Sequence, residues 1–213
     1  MKTECGVDLQ PPRSERIGLF GGTFDPPHNG HVAAAIAARD VLGLDRVLLV
    51  VANSPWQKVP HRTVTPAEDR YAMVRAAVNG VPALQADRTE IDRGGESYTI
   101  ETVETLLERA HRRGLEAPLI FLVVGADVVP SLPTWERVDA LRQAVTLAVV
   151  VRPGLPPTPP PAGWQGVEVP GVNVDVSSSQ VRTLLERNEP VEWALPPAVI
   201  RCIRRRHLYA MGQ

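Results

Sequence analysis

Two histidines stand three residues apart at the end of the segment from Gly21 to His31, which has the sequence Gly-Gly-Thr-Phe-Asp-Pro-Pro-His-Asn-Gly-His. Gly21 and Gly22 directly follow a short apolar run, where glycines let the backbone turn tightly and approach a ligand. His28 and His31 flank the predicted start of a helix near Asn29. A helix N-terminus binds anions through its free N–H groups and its positive dipole end. The segment therefore indicates a phosphate site, although one histidine could instead cap the helix while the other packs internally.

A second group of donors begins at Ser177, where the sequence is Ser-Ser-Ser-Gln-Val-Arg. Ser177 is predicted to cap a helix. The hydroxyls of Ser178 and Ser179 stand beside free backbone N–H groups, and Arg182, one turn into the helix, can reach the same anion. Taken alone, this pattern is better explained by a plain helix cap followed by a solvated surface arginine.

The first segment resembles the signature of the bacterial nicotinate-nucleotide adenylyltransferases, which belong to the His-x-Gly-His nucleotidyltransferase superfamily. The resemblance covers residues 16–209. It implies that the chain transfers the adenylyl group of ATP to nicotinate mononucleotide, giving deamido-NAD and pyrophosphate in NAD biosynthesis. It also implies Mg²⁺, held mainly by the ATP phosphates, with no residue of the chain assigned as a metal ligand.

The resemblance extends to the segments expected to bind ATP. Residues 176–182 are similar to the family's Ile-Ser-Ser-Thr-x-Ile-Arg motif, with Val for Ile twice and Ser for Thr, and this motif holds the β and γ phosphates. Gly125-Ala126-Asp127 is similar to a Gly-x-Asp near the ATP ribose. The residues that the resemblance assigns to ATP are Gly21, Gly22, Thr23, Phe24, His28, His31, Gly125, Asp127, Arg152, Ser178, Ser179 and Arg182.

The catalytic roles expected of His28, His31 and Arg182 are phosphate binding and stabilisation of the transition state. The attacking phosphate of a mononucleotide is already an anion at neutral pH, so the reaction needs no general base. The site must instead align two repelling anions and stabilise the charge on the leaving pyrophosphate.

The acceptor nucleotide is expected to be selected by segments that follow other strands. Residues 94–99, Gly-Gly-Glu-Ser-Tyr-Thr, precede a predicted helix and are similar to a turn that carries the nicotinate carboxylate, which a helix N-terminus favours over a neutral amide. Trp135 resembles an aromatic that stacks on the pyridine ring, and Trp56 is a rival for that role. These assignments also have plain structural explanations. Ser97 or Thr99 could only cap the helix, and Trp135 could be a core anchor. Lys58 could be an exposed loop lysine. The residues assigned to nicotinate mononucleotide are Thr23, Asn53, Lys58, Ser97, Tyr98, Thr99 and Trp135.

Three alternatives stay open at this point. A phosphopantetheine adenylyltransferase shares the fold and both histidines, but its chain is shorter and lacks the Ser-Tyr-Thr turn. An enzyme that prefers nicotinamide mononucleotide is the second alternative. A nucleotide-binding regulator without catalysis is the third, and it predicts damage at His28, His31 or Arg182, all of which are present.

Alternating apolar runs and helical stretches must position these residues. This order predicts an α/β fold, a Rossmann-like doubly wound parallel sheet with a small C-terminal helical portion, which the resemblance assigns to the nucleotidyltransferase type. Such sheets bind ligands at the carboxyl ends of their strands. Strands are predicted at Ile17–Phe20, Arg46–Val51, Leu84–Ile91, Leu119–Val124 and Val145–Val151, and around Val167 and Val172. Helices are predicted at Val32–Leu42, Pro66–Val78 with Thr65 as N-cap, Thr99–Arg112, Trp135–Gln143, Ser177 to about Arg187, and Pro197–Arg206.

Composition limits the classes of partner. The chain has 213 residues and a formal net charge of −1, which gives no general attraction to nucleic acid or to an anionic membrane. No apolar run is long enough to span a bilayer. The two distant cysteines, Cys5 and Cys202, make no disulfide framework, which indicates a cytoplasmic protein. We expect a flexible leader over residues 1–15 and one domain over 16–209, with a helical subregion at about 176–209, while homo-oligomerisation is left open.

Overall fold

A single sheet of six parallel strands organises the chain in the computed structural model, which describes residues 13–55, 63–151, 154, 156–171 and 174–209. The spatial order of the strands is β3-β2-β1-β4-β5-β6. The order of strands reverses between β1 and β4, so the carboxyl ends of these two strands mark the predicted ligand edge. The strands are β1 (Arg16–Gly22), β2 (Arg46–Val51), β3 (Leu84–Asp87), β4 (Leu119–Gly125), β5 (Thr146–Val151) and β6 (Gly166–Pro170).

Helices cover both faces of this sheet. They are α1 (Asn29–Leu42), α2 (Ala67–Val78), α3 (Thr89–Arg93), α4 (Thr99–Arg112), α5 (Val138–Ala144), α6 (Ser178–Glu186) and α7 (Pro197–Arg206), with a 3₁₀ helix at Val129–Thr134. Successive side chains of a strand point to opposite faces. In β2, accordingly, Leu48 and Val50 join the core under α4 and α5, whereas Leu49 and Val51 join the core under α1 and α2. The predicted doubly wound α/β fold is confirmed.

A third buried cluster joins the C-terminal helices to the rest of the fold. Met73 and Ala77 of α2 pack there with residues of α6 and α7, including Val181 and Ile203. Arg206 of α7 and Asp69 of α2 form an ion pair of 2.5 Å beside this cluster. The second donor group is therefore carried by α6, which shares this buried cluster with α2 and α7.

Several predicted elements begin or end elsewhere than the periodicity indicates, and α1 begins at Asn29 rather than at Val32. The strand predicted over Leu84–Ile91 ends at Asp87, because the carboxylate of Asp87 accepts a hydrogen bond of 2.8 Å from the N–H of Thr89 and starts α3. The helix predicted over Trp135–Gln143 begins only at Val138. Arg137 precedes it in the left-handed conformation, with φ of 48°, through which a right-handed helix does not run.

The predicted N-cap at Thr65 is also wrong. Pro66 is the N-cap residue of α2, and no side chain makes a cap hydrogen bond there. Thr65 instead contacts α2 through its backbone, since its carbonyl accepts a hydrogen bond of 2.7 Å from Nε of Arg70.

The first described residues are held to the sheet. Arg13 donates to the carboxylate of Asp45, and the carbonyl of Glu15 accepts from the N–H of Leu119 at 2.8 Å. Within the described ranges, no helix is long and apolar enough to cross a membrane.

Candidate active site

The loop between β1 and α1 holds the two histidines at the reversal of the strand order. His28 is the N-cap residue of α1, and its backbone N–H donates to Nδ1 of His31 at 3.1 Å. The two imidazole rings stack, with centroids 3.7 Å apart and 28° between their planes. Because Nδ1 of His31 accepts this bond, a neutral His31 ring carries its proton on Nε2. His31 therefore caps the helix start through one nitrogen and keeps a donor on the other.

Gly30 has a steric reason to stand between the histidines. A Cβ atom at this position would lie 3.1 Å from Nδ1 of His28 and 3.1 Å from Cγ1 of Val176, which is tighter than ordinary van der Waals contact. The His28 ring, only 7% exposed, fills this space. Packing therefore favours glycine at the position before His31.

The buried side chain of Phe24 packs against the loop of the histidines. It is 2% exposed and has φ of 50°, and its ring meets the ring of His31 edge to face at 5.0 Å. A Cβ atom on Gly22 would come within 2.8 Å of the same ring. The side chain of Phe24 packs against His31, and the expected contact of Phe24 with ATP stays a prediction.

The second donor group lies against the first. Nη1 of Arg182 donates to the carbonyl of Asp25 at 2.7 Å, and its Nη2 donates to Oγ of Ser179 at 3.0 Å. Oγ of Ser178 donates to the carbonyl of Pro26 at 2.9 Å. Ser177 caps α6 as predicted, since its Oγ accepts from the N–H of Gln180. The alternative of a plain cap therefore describes Ser177, whereas its neighbours face the loop of the histidines.

The segments expected to select the acceptor also come together. The N–H of Asn53, just after β2, donates to Oγ of Ser97 at 2.8 Å, and Nδ2 of Asn53 donates to the carbonyl of Gly95 at 2.8 Å. The N–H of Ser97 donates in return to the carbonyl of Ser54 at 3.2 Å. Tyr98 and Thr99 follow at the start of α4, where Tyr98 is the N-cap residue and its hydroxyl bonds to Glu96.

Arg70 joins the two halves of this edge, and its role was missed at the sequence level. It is 1% exposed, and its guanidinium donates to the carbonyls of Thr23 at 2.9 Å, Asn53 at 3.0 Å and Thr65 at 2.7 Å. One arginine thus fixes the loop after β1, the loop after β2 and the entry to α2. A signal was present, because Arg70 stands four residues before Val74 on the buried face of the helix, where arginine is rare.

Glu90 was missed as well. This carboxylate in α3 is 6% exposed and accepts a hydrogen bond of 2.8 Å from Oγ1 of Thr102. Burial raises its pKa, and hydrogen bonds from Ser97 and Thr102 oppose that rise. Because the Ser97 oxygen also receives the N–H of Asn53, Glu90 orients the Ser97 hydroxyl from behind.

Some of the remaining assigned residues lie at or after the carboxyl end of β4, and others lie outside the described ranges. Gly125 ends β4 beside β1, and the N–H of Ala126 donates to the carbonyl of Val150, so Asp127 follows at the same edge of the sheet. Trp135 ends the 3₁₀ helix, donates from Nε1 to Oγ of Ser131 at 3.3 Å and packs in part against the core, as its structural explanation predicts. The assigned residues outside the described ranges are Lys58 and Arg152, together with the rival Trp56 and the predicted strand position Val172.

The chain is similar to known proteins over most of its length. A family model described as cytidylyltransferase-like matches residues 19–184. A probable nicotinate-nucleotide adenylyltransferase of Thermus thermophilus is 42% identical over 194 residues, which cover 91% of this chain and 99% of that protein. One with the same description from Corynebacterium kroppenstedtii is 39% identical, over 91% of this chain and 90% of its own length.

Solved structures agree on the fold. The nicotinic acid mononucleotide adenylyltransferase of Plasmodium falciparum, complexed with APC, superposes with a TM-score of 0.71 at 15% identity, over 93% of this chain and 98% of that one. The same enzyme complexed with NaAD gives a TM-score of 0.71 at 16% identity, with the same coverage.

Proposed function

The chain belongs to the nicotinate-nucleotide adenylyltransferases, and on that premise we propose that it transfers the adenylyl group of ATP to nicotinate mononucleotide. The products are deamido-NAD and pyrophosphate, so the chain serves NAD biosynthesis. One observation carries the proposal. The stacked pair His28 and His31 begins a helix at the reversal of the strand order, where Arg182 also reaches.

The triphosphate would lie over the start of α1. There, at the positive end of the helix dipole, His28 and Nε2 of His31 are donors suited to phosphate oxygens, while the N–H of Asn29 already donates to the carbonyl of Ala194 at 2.8 Å. Arg182 already spans from Ser179 to the loop of the histidines, so a modest turn of its guanidinium would give it a bidentate contact with phosphate. Because these groups come from residues 25–31 and 178–182, we further propose that residues 16–209 act as one domain.

The acceptor would lie toward the turn of residues 97–99. The start of α4 offers backbone N–H groups and the hydroxyl of Thr99 to a carboxylate, which is a physical reason for preferring nicotinate to nicotinamide. Trp135 supplies a flat ring face for the pyridine. Asn53, tied to Ser97 and to Arg70, is positioned by both neighbours rather than by the ligand.

The reaction forms one bond and breaks one. A phosphate oxygen of the mononucleotide attacks the α-phosphorus of ATP, and the bond from that phosphorus to the pyrophosphate oxygen breaks. No proton has to be removed from the attacking group. The protein therefore contributes alignment of the two anions and donors for the negative charge that develops on the leaving pyrophosphate.

We propose that Mg²⁺ enters the reaction as an ion carried by ATP. Among the described residues, no three side chains of His, Cys, Asp or Glu stand together as a metal cage. Mg²⁺ commonly keeps several waters and binds through substrate phosphates, where it neutralises the charge of the triphosphate.

A side-by-side assay tests the proposal. Pyrophosphate release from ATP and Mg²⁺ is measured with nicotinate mononucleotide, nicotinamide mononucleotide and phosphopantetheine as separate acceptors. We expect the highest kcat/KM with nicotinate mononucleotide. Higher kcat/KM with either other acceptor would replace the proposed substrate, and no release with any acceptor would favour a regulator that binds nucleotides without catalysis.

A further inference from the structure

The C-terminal part of the chain holds the loop of the histidines by a contact that none of the proposed ligand roles requires. After α7, His207 and Tyr209 both adopt left-handed backbone conformations, with φ of 51° and 54°. Between them Leu208 packs into the third buried cluster. This turn brings the hydroxyl of Tyr209 to Oδ1 of Asp25, to which it donates at 2.6 Å.

Asp25 is an unusual acceptor for such a bond. It is 1% exposed and lies three residues before His28. The N–H of Thr65 approaches its other carboxylate oxygen at the longer distance of 3.5 Å. A buried carboxylate needs donors to offset the loss of its hydration, and a hydrogen bond to a charged group is stronger than one between neutral groups.

The hydroxyl of Tyr209 stays protonated and can therefore donate this hydrogen bond at any ordinary pH. Burial and the charge of Asp25 raise the pKa of the Tyr209 hydroxyl, so it keeps its proton throughout the pH range of an ordinary assay. Left-handed backbone conformations are unfavourable for residues other than glycine and persist where surrounding contacts hold them. This turn is held by the N–H of Leu208, which donates to the carbonyl of Ile203 at 3.1 Å, by the packing of Leu208 and by the bond of Tyr209 to Asp25.

We propose that Tyr209 is a positioning residue for adenylyl transfer, which holds Asp25 and thereby sets the placement of His28 and His31. The link from Asp25 to His28 is stiff, because Pro26 and Pro27 fix their own φ angles. A shift of the Asp25 carboxylate is therefore transmitted to the helix start rather than absorbed in between. This inference rests on the proposed function for its kinetic consequence, but not for its structural one.

The position of the contact predicts which kinetic constant changes. Tyr209 is bonded to the loop of the histidines, whereas the acceptor side is held by Ser97 and Glu90. Arg70 contacts both sides and therefore does not distinguish them. Displaced histidines stabilise the transition state less well, so kcat falls. The KM for nicotinate mononucleotide depends on the other side and changes little.

The test compares Tyr209→Phe with the matched control Tyr71→Phe. Tyr71 is a partly buried tyrosine of α2 whose ring lies under Arg88, outside the proposed site. We expect Tyr209→Phe to lower kcat by about tenfold, the effect of losing one hydrogen bond to a charged group, and to change the KM for nicotinate mononucleotide by less than about twofold. Tyr71→Phe should leave both constants unchanged.

A second readout needs no turnover. In protein labelled with ¹⁵N at histidine, Nδ1 of His31 reports the bond it accepts from the His28 N–H. We expect Tyr209→Phe to move the ring signals of His28 and His31 and to leave that of His111 in place. Tyr71→Phe should move none of the three. If Tyr209→Phe does not fold, Asp25→Asn, which weakens the same bond from the other side, is expected to move the same two signals.

The outcomes separate this inference from the proposed function. Unchanged kcat and unchanged histidine signals in folded Tyr209→Phe would overturn the inference, because Tyr209 would then contribute to stability alone. If the wild-type chain released no pyrophosphate, the proposed function would fail, and the histidine signals alone would decide whether Tyr209 positions the loop.

Discussion

Arg70 offers the sharpest test of how the site is assembled, because one side chain fixes both of its halves. The substitution Arg70→Lys keeps the positive charge but replaces a planar fork of donors with a single ammonium. Nε and both terminal nitrogens of Arg70 each donate to a different carbonyl, at 2.7–3.0 Å. A shorter and more compact head group cannot satisfy all of these acceptors at once.

The expected loss follows from the bonds that are broken. Hydrogen bonds to a charged donor contribute about 1.5–3 kcal/mol each, and partial rescue by the ammonium and by water lowers the total, so we expect Arg70→Lys to cost about 3 kcal/mol of unfolding free energy. In a domain of this size that corresponds to a fall in Tm of roughly 6–12 °C. Because the loops that carry Thr23 and Asn53 both lose their anchor, kcat/KM should also fall by about tenfold or more for ATP and for nicotinate mononucleotide.

The matched control for this test is Arg75→Lys. Arg75 belongs to the same helix but is exposed, so its substitution removes an arginine without opening the buried contacts. Thermal unfolding and initial rates are measured for both variants. The reasoning is refuted if Arg70→Lys keeps the Tm within about 2 °C of the wild type, a shift of under about 1 kcal/mol. It is also refuted if kcat/KM falls for only one of the two substrates.

Three further substitutions probe individual groups. His31→Ala should lower kcat by about 10²-fold or more while the far-ultraviolet circular dichroism is kept, and near-normal turnover would remove His31 from the catalytic set. Ser97→Ala deprives the Asn53 N–H of its acceptor at 2.8 Å, so we expect a higher KM for nicotinate mononucleotide with the KM for ATP nearly unchanged, and a rise in the ATP constant alone would contradict this. Burial raises the pKa of Glu90, so between the unfolded value of about 4.3 and the raised folded value the folded chain binds more protons than the unfolded chain, and the stability contributed at this position falls as pH rises through that interval. Urea unfolding at several pH values should therefore show Glu90→Gln gaining stability relative to the wild type with increasing pH, and a pH-independent difference would exclude that sign.

Much of the fold could be predicted because its signals are local. The helix Thr99–Arg112 and the helix Pro197–Arg206 have the predicted bounds, since each carries a clear apolar face. The helix expected to begin at Trp135 failed, because the backbone of Arg137 turns left-handed where the side chain pairs with Glu104, and helical periodicity holds no information on that pairing.

The site residues also divide into those that a local sequence pattern marks and those that it does not. His28 and His31 could be found from their spacing, because helix starts and glycine turns leave a local pattern. The roles expected of Ser178, Ser179 and Arg182 came from the resemblance to the family's motif, since their pattern alone indicates only a helix cap. The bond from Tyr209 to Asp25 spans 184 positions along the chain, and no local pattern marks it. Contacts of this kind depend on how helices pack on one another, which a single sequence does not specify.

A structure of the protein with deamido-NAD bound tests the central claim most directly, since the product carries both halves of the site's ligands. We expect its pyrophosphate oxygens within hydrogen-bonding distance of His28 or His31 at the start of α1, and its pyridine carboxylate at the start of α4, near Thr99. Phosphates bound away from the loop of the histidines, or a pyridine ring on the side of Arg182, would contradict the assignment of the site.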